Sequence, residues 1–113
     1  MVEVILDDSL KKKIYKKFKE ESVKIFKAMM QLETHPHKGK LLATVSNIHI
    51  KELKYKGFRF YFLTDGHLLK FGTEEDIASL IIKFVRMSEK KDQQKVINEL
   101  RQLLDSMGFN DLY

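Results

Sequence analysis

One carboxylate and three cations stand out for their type and spacing. Glu52 and Lys54 lie two residues apart in the stretch "KELKYKGFRFYF", and Arg59 follows across a Lys56-Gly57 turn. Residues two apart in a strand share a face, and a residue across a hairpin can join them there. Arg86 comes from a separate β-rich run and can approach the same region. Such a set can hold an anion from more than one direction. Guanidinium groups grip phosphate bidentately, and a carboxylate or a lysine of depressed pKa can accept a proton beside it. A phosphate passing through a pentavalent state needs donors from several sides. The bland alternative is a cross-strand charge network on a solvated sheet face, which contributes little.

Composition narrows the setting. The chain has 113 residues, 43% of them hydrophobic, which suits a single globular domain over 1–113. Cysteine is absent, so no disulfide, thiolate ligand or thiol nucleophile is possible. No apolar run approaches the roughly 18 residues that span a bilayer. Met1 to Val4 lacks the basic start and apolar stretch of a signal peptide, so a cytoplasmic location is expected. A net charge of +5 suits a polyanionic partner, either a phosphate backbone or an acidic protein. Lysine richness also arises for reasons unrelated to any ligand. His35, His37, His49 and His67 lack the neighbouring acids or thiolates of a zinc site, so no metal or cofactor is expected. No glycine-rich phosphate loop or Ser-His-Asp arrangement is legible.

The elements that must position these residues follow from periodicity. Alternation predicts a strand over Val2 to Leu6, and Asp8 or Ser9 can cap the helix that follows. Leu10, Ile14 and Phe18 form a narrow apolar stripe among lysines. A second helix is expected to bury Val23, Ile25, Phe26, Met29, Met30 and Leu32, and Thr34 to Lys40 reads as a loop. Ile48 to Tyr55 is a strand, turning at Lys56-Gly57. Phe58, Phe60 and Phe62 then point one way, and Arg59, Tyr61 and Leu63 the other. Thr64-Asp65-Gly66 reads as a second hairpin turn, and Leu68 to Phe71 as a short strand. Thr73 to Asp76 is a capping box. Leu80 to Met87 suits a central strand. A last helix starts near Asp92, carries Val96, Ile97, Leu100, Leu103, Leu104 and Met107 on one face, and stops at Gly108. The fold class expected is α+β, with the sheet mainly antiparallel and the helices over one of its faces.

In this order the motifs resemble the RelE/ParE/HigB superfamily of toxin–antitoxin toxins. Pro36 and Gly39-Lys40-Leu41 precede a strand carrying Glu52-Leu53-Lys54, where the family often reads Glu-Leu-Arg. Phe58-Arg59-Phe60 matches the next strand, and Phe84-Val85-Arg86 with Lys90-Lys91 the last. The resemblance implies a RelE-like fold: an N-terminal strand and helical pair, a twisted sheet of about four to five strands, and a C-terminal helix. It implies a ribosome-dependent, metal-independent endoribonuclease that cuts messenger RNA and is silenced by a cognate antitoxin protein, without membrane association. Glu52, Lys54, Arg59 and Arg86 would be catalytic, and Lys51, Lys56, Tyr61, Lys90 and Lys91 would contact RNA.

The chain departs from the pattern twice. Residues 68–80 are extra, and Met87-Ser88-Glu89 stands where RNA-cutting members often carry a tyrosine or histidine. Two other readings therefore stand beside the first: a ParE-like, non-catalytic inhibitor of DNA gyrase, and a basic nucleic-acid-binding module without activity.

Overall fold

Alternating side chains give the strand Phe58–Asp65 two buried faces in the computed structural model, which describes residues 2–107. Phe60 and Phe62 enter one hydrophobic cluster, whereas Tyr61 and Leu63 enter another. The other elements arrange themselves around that division. In chain order they are β1 (Glu3–Leu6), α1 (Asp8–Phe18), α2 (Ser22–Met30), β2 (Lys40–Val45), β3 (Ile48–Tyr55), β4 (Phe58–Asp65), α3 (Gly66–Phe71), α4 (Glu74–Ile77), β5 (Ile81–Glu89) and α5 (Gln93–Met107). The five strands form one mixed sheet in the order β1-β5-β4-β3-β2. β1 runs parallel to β5, and the other three pairings are antiparallel. The fold class is α+β, as expected.

Helices cover both faces of the sheet, which corrects the expectation of one. Leu10 and Ile14 of α1 and Ile25 and Met29 of α2 pack on Phe60, Phe62, Ile82 and Phe84. Val96, Ile97, Leu100 and Leu104 of α5 pack on Ile48, Ile50, Tyr61, Leu63 and Val85. The second face is itself apolar along β3 and β4, so it requires a cover of its own. The Met107 side chain and Gly108, both assigned to the end of this helix from sequence, lie outside what is described.

α1 is capped by Asp7, whose Oδ2 accepts a hydrogen bond from the Leu10 amide at 3.1 Å. A 3-10 turn, Lys19–Glu21, separates α1 from α2, with Lys19 at φ 51°. Along α2 and the 3-10 turn Gln31–Glu33 that follows it, the buried face is narrower than expected. Ile25, Met29 and Leu32 are buried, while Val23 and Met30 are exposed. At 100° per residue the first three share one stripe, and the last two lie together on another.

Two elements differ from the sequence expectation. β2 is an addition to the sequence expectation, in which the sheet resumes only at Ile48. A register shift between Leu41 and Ala43 breaks the alternation that would have marked it. β2 reaches β3 through Ser46 and Asn47, both at positive φ (48° and 69°), and Lys56-Gly57 repeats that geometry between β3 and β4. The expected strand Leu68 to Phe71 is instead helix α3. Asp65 Oδ1 accepts from the Leu68 amide at 2.9 Å, so Asp-Gly opens a helix here rather than closing a hairpin. The Thr73–Asp76 capping box is present at the start of α4. Among the described residues no helix is long and apolar enough to cross a membrane.

Candidate functional site

Strand register decides which of the candidate side chains can meet. Lys54 lies opposite Arg59, and Arg59 opposite Ser88; the next row holds Glu52, Tyr61 and Arg86. Tyr61 packs in the α5 cluster, and its hydroxyl lies 2.7 Å from Ser88 Oγ. The rows therefore belong to the face away from α1 and α2. Phe58, Phe60 and Phe62 pack toward the helix pair, as parity requires.

The charges in these rows are not all solvated. Glu52 is 1% exposed and Arg59 8%. Glu52 Oε2 accepts from Gln93 Nε2, at the start of α5, at 3.0 Å. Arg59 Nη1 donates to the Gly57 carbonyl at 3.1 Å. Arg59 Nε lies 3.9 Å from Glu52 Oε2, which is an ion pair but too long for a hydrogen bond. Glu52 Oε1 and Arg59 Nε are both buried without a hydrogen-bond partner among the described residues. Lys54, by contrast, is exposed. Arg86 shares the Tyr61 row, but its guanidinium donates to its neighbour Val85's carbonyl at 2.8 Å. It lines a separate cleft of about 380 Å³ with Asp7, Ser9 and Lys13. A register shift between Tyr61 and Phe62 leaves Val85 extra in β5, and such bulges re-aim the residues around them. The structure thus brings Glu52, Arg59 and the Lys54 position together and leaves the Arg86 guanidinium apart.

Two of the expected RNA contacts are corrected by burial. Lys51 points toward the helix pair and donates from Nζ to the His37 carbonyl at 3.1 Å, 5.7 Å from the centre of the Phe62 ring. Desolvation holds its pKa below the ordinary lysine value. Tyr61 is fully buried, so its ring has no free face on which a base could stack. Burial pushes its phenol pKa up, with the Ser88 hydrogen bond acting against the shift. Lys56 is exposed but bonded to Glu21 at 2.6 Å, and Tyr55 donates to the same carboxylate at 3.3 Å. That Lys56–Glu21 hydrogen bond lowers the Glu21 pKa and raises that of Lys56. Lys90 and Lys91 are exposed in the 3-10 turn that leads into α5, with Lys91 3.6 Å from Glu89.

Sequence reasoning missed Ser88 and Gln93. Ser88 carried a signal, being a hydroxyl in the stretch where the resemblance implies a tyrosine or histidine. Gln93 carried none, since its partner Glu52 is remote in sequence. Among the described residues no group of three or more His, Cys, Asp or Glu could hold a metal.

No protein-family model matches the chain, no curated protein matches it, and no solved structure matches it. What the fold and site define is an α+β protein whose five-stranded mixed sheet buries a charged pair beneath its last helix.

Proposed function

We propose that this protein is a RelE-like toxin, a ribosome-dependent endoribonuclease of the cytoplasm that cuts messenger RNA and is silenced by an antitoxin protein. One observation carries the reading: Glu52 and Arg59 are buried side by side, each with a polar atom that has no partner among the described residues, next to the exposed Lys54. Burying charge with incomplete hydrogen bonding costs stability, and groups kept at such cost concentrate at functional sites.

In this reading Glu52 takes the proton of a 2′-hydroxyl. The 2′-oxygen bonds to phosphorus, and the bond from phosphorus to the 5′-oxygen breaks. Lys54 and Arg59 offset the charge that builds on the phosphorane. The linked hydroxyls of Ser88 and Tyr61 supply the leaving oxygen with its proton. Arg86, Lys90 and Lys91 hold flanking phosphates. The net charge of +5 supports both polyanionic RNA and an acidic antitoxin. For Glu52 to act, Gln93 must release it. That closure is the specific observation favouring the second reading, a ParE-like gyrase inhibitor that binds without catalysis.

The test is cleavage of messenger RNA on programmed ribosomes by wild type, Lys54→Ala, Arg59→Lys and Arg86→Ala, with urea unfolding in parallel. Lys54 is exposed, so its removal should change stability by no more than about 0.5 kcal/mol. Its cleavage rate should fall about a hundredfold or more, as for loss of one transition-state donor. Arg59→Lys keeps the charge but loses the fork, and should also be slow. Equal rates in all four would place the chemistry elsewhere. No cleavage by wild type, together with inhibition of gyrase, would establish the second reading.

A further inference from the structure

The opposite end of the sheet holds a cleft that the proposed RNA chemistry does not use. His49 lies five residues before Lys54 on β3, about 17 Å along the strand. There α3 and the β2–β3 hairpin enclose a space of about 390 Å³, lined among others by Leu41, Thr44, His49, His67, Lys70 and Phe71.

Its polar part is built rather than incidental. The His49 ring is held by Thr44, whose Oγ1 lies 2.9 Å from Nδ1. It also lies flat on Gly66, where an added Cβ would come within 2.5 Å of the ring. Desolvation and the nearby Lys51 and Lys70 charges lower the His49 pKa, with Asp65 opposing them, which favours the neutral imidazole. A neutral ring offers one donor and one acceptor nitrogen. The rim is apolar yet open to solvent: Phe71 is 67% exposed and Leu41 51%. Lys70 Nζ lies 5.3 Å from the Phe71 ring centroid, and the His67 ring lies 5.0 Å from it.

These features together narrow the ligand. A simple anion has no use for Phe71 and Leu41, and a purely apolar partner has none for Lys70 and the Thr44–His49 pair. A flat ring carrying a phosphate uses all of them. We propose that this cleft is a nucleotide site, with the base against Phe71 and Leu41, its edge toward Thr44 and His49, and the phosphate on Lys70. The nucleotide can be free or part of a single-stranded RNA, and the chemistry recognised is the same.

The experiment is an NMR titration of the whole chain with AMP, adenosine, inorganic phosphate and single-stranded oligoadenylate, following the His49, His67 and Phe71 ring signals. AMP should move them, with adenosine and phosphate each weaker by about tenfold or more. Phe71→Ala and Lys70→Ala alter exposed side chains, and each should weaken AMP by about fivefold or more. Oligoadenylate moving the same signals where AMP does not would identify the source as an RNA strand, with the same dependence on Phe71 and Lys70. Adenosine or phosphate binding as tightly as AMP would overturn the proposal. So would an absence of shifts with all four at millimolar concentration, or binding that neither substitution weakens. Because the readout is binding, failure of the ribonuclease reading leaves this result standing.

Discussion

Lys51 and Lys54 show how much one position of strand parity decides. Lys54 looks out from the α5 face, while Lys51 points under the loop that carries His37. Burial lowers the Lys51 pKa from its ordinary 10.5, so the unfolded chain binds this proton more tightly than the folded one. Stability attributable to Lys51 should therefore rise as pH climbs through the window below 10.5. Urea melts of wild type against Lys51→Met should show the difference moving in favour of wild type as pH increases; a constant difference would mean that Lys51 is solvated. Arg59 yields a second test. On a solvated face Arg59→Ala would change stability by no more than about 0.5 kcal/mol. Here it strands the Glu52 carboxylate, and a loss of about 3–5 kcal/mol is expected. The double change Glu52→Gln with Arg59→Met removes both charges and should recover most of that loss. If the single change proves neutral, the pair is not buried in solution.

At the level of elements, local signals succeeded where one meaning was available and failed where two were. Lys56-Gly57 could only turn a hairpin, and Thr73 to Asp76 could only start a helix. Asp65-Gly66 admits both a hairpin turn and a capped helix, and the contacts of α3 with β3 and β4 select the second. The consequences can be measured. Asp65→Ala should cost about 0.5–2 kcal/mol through the lost cap. Gly66→Ala should cost about 1–3 kcal/mol by driving a methyl into the His49 ring. Thermal melts read both losses, and Gly66→Ala should in addition displace the His49 ring signals. β2 was obscured for another reason. Its bulge near Leu42 destroys the period of two on which recognition of a strand depends.

For the whole molecule, one sheet joins two cores, and β4 belongs to both. Cavities on either face should therefore weaken a single cooperative transition. Ile14→Ala, under the helix pair, and Leu100→Ala, under α5, should each cost about 2–5 kcal/mol. Urea unfolding followed by circular dichroism and by tyrosine fluorescence should give coincident curves in both variants. Separate transitions would show that the two faces fold independently. The sequence by itself determined the apolar stripes of α1 and α5, the two-faced alternation of β4 and the grouping of Glu52, Lys54 and Arg59. Each follows from a local period that side-chain geometry enforces. Only the tertiary structure decided that α5 closes the second face, that its Gln93 reaches Glu52 and that Arg86 lines a different cleft. Those outcomes depend on residues 41 positions apart and on a bulge in β5, where neither spacing nor residue type states which side chains will meet.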